Sequence, residues 1–111
     1  MEEKNVIKAL AALAQVNRLQ IFRALVVKGM DGLTPAQLAQ DMNMAANTLS
    51  FHLKELMNAE LISQERSGRN LIYRAQYERM NDLLSFLTQN CCQGEACLPL
   101  ALNQPTCVNT P

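Results

Sequence analysis

The spacing of apolar residues along the chain sets out a succession of short elements. Over residues 3–15, "EKNVIKALAALAQ", Val6, Ile7, Leu10 and Leu13 recur three and four positions apart, the signature of one face of a helix. Residues 17–29, "NRLQIFRALVVKG", repeat the pattern more broadly through Leu19, Ile21, Phe22, Leu25 and Val26. Asn17 is the expected cap of that helix and Gly29 its stop. In "DGLTPAQLAQDMNM" a threonine, a proline and a glutamine stand where a capping box wants them, at Thr34, Pro35 and Gln37. The short helix they open turns Leu38, Ala39 and Met42 inward. A longer helix follows in "AANTLSFHLKELMNAE", with Leu49, Leu53, Leu56 and Met57 on one side and Asn47, Ser50, Phe51 and Lys54 on the other. Around Ser67-Gly68 the pattern changes to the alternation of a β-hairpin, "LISQERSGRNLIYRA". Helical spacing then returns through Met80, Leu83, Leu84 and Leu87.

Four helices, a hairpin and a last helix imply a mainly α fold with a small β-hairpin. A short helix, a tight turn and a second helix running into a basic hairpin is the layout of a winged helix-turn-helix, whose second helix enters the major groove. On that helix Asn47 and Ser50 offer donors and acceptors to base edges, and Thr48 a methyl group or a phosphate bond. Gln37, His52 and Lys54 complete the helical candidates for DNA contact; His52, beside Leu49 and Leu53, has packing as its alternative role. On the hairpin, Arg66 and Arg69 flank a glycine tip and suit a phosphate backbone or a minor groove.

Composition changes this picture little. The chain has 111 residues, 49% of them hydrophobic, enough for one core and close to the size at which pairing of two copies helps. Its formal net charge is zero, so no global basic field attracts a polyanion, although a local basic stripe suffices for DNA. The start, "MEEKNVIKALAAL", is acidic and has a lysine within its apolar pattern, unlike a signal peptide. No apolar run reaches the length of a membrane span. A cytoplasmic protein without membrane association is the expectation.

The cysteines are the unusual feature. All four, Cys91, Cys92, Cys97 and Cys107, fall in residues 91–111, beyond the last helix. Chance would gather them there roughly one time in a thousand. In a reducing compartment such thiols suit a soft metal or metalloid, or redox chemistry, better than a disulfide staple. Trivalent arsenic binds three sulfurs in a shallow pyramid, which Cys91, Cys92 and Cys97 can provide. Zinc wants four ligands, with Cys107 as the fourth, but the C-x-x-C spacing of structural zinc sites is missing. Closure of the vicinal pair to a disulfide and an unused tail are the other two readings. The chain thus divides into a DNA-binding and dimerisation domain over residues 1–90 and a cysteine-containing tail over 91–111.

Three stretches, "LAALAQVNRLQIFRAL", "LTPAQLA…NTLSFHLKELMNAELI" and "ERSGRNLIYR", together spanning residues 6–75, resemble the ArsR/SmtB family of metal- and metalloid-responsive repressors. The resemblance is carried most specifically by T-L-S-x-H-L-K-x-L followed by G-R-x-x-x-Y. It implies a homodimer that releases operator DNA when an inducer binds, with dimer contacts from the first and last helices, here residues 3–14 and 76–89. Members that sense arsenite through the helix-turn-helix carry C-x-C where this chain has "LTPAQLA". Members that sense zinc through the last helix carry Asp and His ligands there, and "YERMNDLLSFLTQ" has no histidine. "CCQGEAC" instead resembles members whose inducer cysteines follow the last helix, which implies As(III) or Sb(III) as inducer. Phe51 stands where many members have a polar or basic residue.

The expectation is therefore a repressor with double-stranded operator DNA, a second copy of itself and a trivalent arsenical as partners, and with no catalytic cofactor. A thiol enzyme is the competing class, but no cysteine lies at a helix start or beside a basic residue that would lower its pKa. A metal-buffering protein that uses the thiols without DNA is the third.

Overall fold

A computed structural model describes residues 1–90. Helices α1 (Glu3–Leu13), α2 (Val16–Lys28), α3 (Pro35–Met42) and α4 (Ala46–Asn58) come first. Strands β1 (Ile62–Ser67) and β2 (Asn70–Ala75) and helix α5 (Tyr77–Leu87) follow, and a single 3₁₀ turn (Gly29–Asp31) ends α2. This is the mainly helical, winged arrangement expected from the pattern.

The core is built where the helical stripes converge. Ile21, Phe22 and Leu25 of α2, Leu38 of α3, and Leu49, Leu53 and Leu56 of α4 are buried together, closed by Leu61, Ile62 and Tyr73 from the hairpin. Val6, Ala9 and Ala12 are the buried residues of α1, and small side chains there let it lie close to its neighbours. The outer half of the α1 stripe is not covered: Ile7 is 61% exposed and Leu10 38%. Helix α5 behaves alike, burying Leu83 and leaving Leu84 and Leu87 half exposed. Among the described residues nothing covers the outer sides of these two helices.

Local chemistry explains the element boundaries. The capping box is present: Thr34 Oγ1 accepts from Gln37 N at 3.2 Å, and Gln37 Oε1 accepts from Thr34 N at 2.9 Å. Helix α2 departs from expectation. Its cap is Gln15, in an extended conformation, whose side chain accepts from Arg18 N, so Asn17 lies inside the first turn. Helix α3 closes with Asn43 in the left-handed region (φ 53°). There Met44 N donates to Ala39 O at 3.0 Å and Asn43 N to Gln40 O at 3.3 Å, a Schellman closure that fixes the turn into α4. The same pair of bonds ends α4, from Leu61 N to Leu56 O and Glu60 N to Met57 O, and sends the chain into the wing.

The wing strands pair antiparallel from Ile62↔Ala75 to Ser67↔Asn70, with Gly68 and Arg69 as a two-residue loop. Positive φ at Gly68, the first loop position, matches the twist of a tight hairpin. The hairpin is tied to the body by a bridge that the sequence pattern does not announce. Leu33 N donates to Tyr73 O at 2.9 Å and Tyr73 N to Leu33 O at 2.8 Å. Arg74 Nε also donates to Met30 O at 2.6 Å. Tyr77 then anchors α5, its hydroxyl donating to Val26 O at 2.9 Å.

Candidate nucleic-acid interface

Helix α4 is amphipathic in the sense the pattern requires. At 3.6 residues per turn, Asn47, Ser50, Phe51 and Lys54 lie within an arc of roughly 100°, opposite the buried Leu49 and Leu56. All four side chains on that arc are exposed, as is Thr48 at its edge. Asn47 Oδ1 accepts from Thr48 N at 2.9 Å, satisfying one of the free first-turn donors, so a base using that oxygen must displace this bond. Gln37 is exposed on α3, but its side-chain oxygen is already engaged in the capping box.

Arg66, on β1, and Arg69, in the loop, are both exposed. Among the described residues neither takes part in an ion pair. Arg74 does, with Glu65 at 2.6 Å, and Arg79 pairs with Glu60. The wing thus keeps two guanidinium groups at its tip and commits a third to holding its base.

His52 is the exception among the helical candidates. It is 6% exposed and faces inward, because its position on α4 falls on the same side as Leu49 and Leu56. Its Nδ1 lies 3.5 Å from a guanidinium nitrogen of Arg18, which also donates through Nε to Ala12 O at 2.7 Å. A guanidinium can only donate, so in this contact Nδ1 is the accepting nitrogen. Burial, and after it the Arg18 guanidinium, hold its pKa below the usual range, with Glu55 pulling the other way. His52 is therefore a packing and hydrogen-bonding group on the inner side of α4, away from the exposed arc on which it was expected to act. Arg18 was not among the candidates. Its signal in the sequence is slight, one of two arginines, Arg18 and Arg23, within the apolar run of α2. Yet it joins the end of α1, the start of α2 and the inner face of α4.

The candidate ligands Cys91, Cys92 and Cys97 lie outside the described residues. Among the described residues no group of three or more His, Cys, Asp or Glu side chains could hold a metal ion. No single helix among them is long and apolar enough to cross a membrane.

A helix-turn-helix whose second helix presents polar side chains outward and runs into an arginine-tipped hairpin defines a winged-helix DNA-binding regulator. A family profile described as a helix-turn-helix domain matches residues 13–65. The arsenical resistance operon repressor of Bacillus subtilis (strain 168) is 33% identical over 92 residues, covering 78% of this chain and 84% of that one. An uncharacterized helix-turn-helix transcriptional regulator of the same organism is 40% identical over 72 residues, 63% of this chain; the match spans only 30% of its length. Among solved structures, an ArsR-like transcriptional regulator from Rhodococcus sp. RHA1 superposes with a TM-score of 0.70 at 23% identity, covering 78% of each chain. The homodimeric winged helix-turn-helix DNA-binding domain of a possible ArsR-family regulator from Mycobacterium bovis does so with a TM-score of 0.63 at 27% identity, covering 78% of this chain and 81% of that one. The chain belongs to the ArsR family of winged-helix transcriptional repressors.

Proposed function

We propose that the protein is an arsenic-responsive member of this family: a cytoplasmic homodimer that binds a twofold-symmetric operator and leaves it when trivalent arsenic or antimony binds Cys91, Cys92 and Cys97. The observation that carries DNA reading is the exposed polar arc of α4 followed directly by a wing with two exposed arginines at its tip. Dimerisation is supported by the uncovered apolar faces of α1 and α5, Ile7 and Leu10 on one and Leu84 and Leu87 on the other. It is supported also by the homodimeric state of the Mycobacterium bovis domain.

Arsenic sensing rests on the name of the Bacillus subtilis relative and on where the thiols are. Every cysteine of the chain lies at or beyond residue 91, the first of them four residues past the end of α5, and α5 leaves an apolar face exposed among the described residues. A ligand that drew three thiolates together there would act on the geometry of the pair of subunits. Release requires the inducer to favour a dimer form with displaced reading helices, a coupling of typically ~1–3 kcal/mol.

The test is DNA retention on a symmetric operator titrated in parallel with arsenite, zinc and diamide. Arsenite releases the operator from the parent protein. Single Ser replacements of Cys91, Cys92 or Cys97 still bind DNA but no longer respond. Cys107→Ser remains inducible, because recruiting it closes a further loop of ten residues at added entropic cost. Release by zinc or diamide and not by arsenite would replace arsenic with another soft metal or with thiol oxidation.

A further inference from the structure

Phe51 is the one large apolar side chain exposed on α4, at 56% of its surface. Of the other large apolar groups of that helix, Leu49, Leu53 and Leu56 are buried in the core and Met57 is partly buried against it. Phe51 instead shares the outward arc with Asn47, Ser50 and Lys54. Its ring meets the His52 imidazole edge-on, with centroids 5.4 Å apart and planes at 63°. Because His52 is itself fixed by Arg18 and the core, that contact orients the phenyl ring from beneath and leaves its outer edge to solvent. An apolar ring held in this way, on a face otherwise made of donors, acceptors and a cation, needs an apolar counterpart on whatever the face binds.

We infer that Phe51 reads the C5-methyl group of a thymine in each half-site of the operator, and so sets a T·A requirement at one base pair. The inference rests on the proposed docking of α4 in the major groove. Of the groups the four base pairs present there, the thymine methyl is the apolar one; the rest of the pattern is donors and acceptors that a phenyl ring cannot satisfy. A ring set over a cytosine or a purine edge would desolvate a polar group without replacing its hydrogen bond, which is unfavourable. Discrimination at that base pair therefore comes from both an attraction and a penalty.

The experiment removes the methyl group alone. Operators are first selected from a randomised duplex pool on the parent protein, and each thymine of the selected site is then replaced in turn by deoxyuridine. One thymine per half-site is expected to show about a four-fold loss of affinity on losing its methyl, the value of one buried methyl-sized group. Phe51→Ala, an exposed substitution to a better helix former, is expected to bind the thymine and deoxyuridine duplexes equally. Phe51→Leu, which keeps an apolar tip, is expected to retain part of the discrimination. The inference is overturned if no thymine is methyl-sensitive, or if Phe51→Ala remains as sensitive as the parent. If no duplex is enriched at all, the DNA-reading function itself fails; sequence-specific binding without a methyl-sensitive thymine removes only the role of Phe51.

Discussion

Replacing Gly32 with alanine tests whether the wing is held to the helix-turn-helix at the close approach between residues 32–33 and β2. Gly32 has φ +68° and ψ −177°, a region that side chains with a Cβ almost never enter. A Cβ there would stand 2.6 Å from Ile72 Cγ2, 2.6 Å from the Tyr73 carbonyl oxygen and 3.0 Å from Arg74 Cγ. The Ile72 methyl can rotate away, but the carbonyl cannot withdraw without losing its 2.9 Å bond from Leu33 N. The backbone conformation costs about 1–3 kcal/mol, and overpacking adds about 1–3 kcal/mol. The sum, roughly 2–6 kcal/mol, is a large part of the ~5–15 kcal/mol that stabilises a domain. Gly29 provides the control, because its φ of +76° is similar and an added Cβ would meet nothing within 4 Å. Gly29→Ala should carry the backbone cost alone. Urea unfolding followed by far-UV circular dichroism suits a chain without tryptophan. Protein concentration must be held fixed, because association shifts apparent stability. The unfolding free energy should fall further for Gly32→Ala than for Gly29→Ala by about 2 kcal/mol, the added steric part, with the midpoint lowered in proportion at unchanged slope. Equal losses for the two variants would refute the argument, since the contact with Tyr73 would then contribute nothing.

Three further outcomes follow from the interface. Asn47→Ala and Ser50→Ala should each weaken specific binding by ~1–3 kcal/mol without altering the fold; gel retention with circular dichroism checks both, and parent-like binding by both variants would show that the reading face is elsewhere. Arg69→Ala and Arg66→Ala should weaken binding to all sequences and lower the salt slope by about one, as loss of a phosphate contact does; an unchanged slope in both would exclude contact between wing and DNA. His52 is the only histidine, and its pKa is lowered in the folded chain. The unfolded chain therefore takes up a proton more readily, and stability complete above the ordinary value of about 6.5 is lost as pH falls below it. Urea midpoints at pH 7.5 and 5.5 should show that loss in the parent and not in His52→Gln, and a midpoint independent of pH in the parent would contradict it.

Much of this protein is written locally. Apolar spacing of three and four places α1 to α5, the Thr34–Gln37 box starts α3, and alternation around Gly68 makes the hairpin, because each depends on neighbours within a turn or two of chain. The polar arc of α4 is legible for the same reason. Tertiary structure decided the remainder. Gln15 stands as the cap of α2 in place of Asn17, its side chain accepting from Arg18 N, a choice between two nearby polar residues that apolar spacing does not make. The periodicity around His52 allowed either face, and burial between Arg18 and the core settled which. Gly32 is constrained by β2, forty residues further along the chain, a contact no local pattern encodes. Ile7, Leu10, Leu84 and Leu87 keep helical spacing, yet only the folded chain distinguishes them from core residues: the interior is already filled by Val6, Ala9, Ala12 and Leu83, so apolar side chains one position round the helix are left exposed among the described residues.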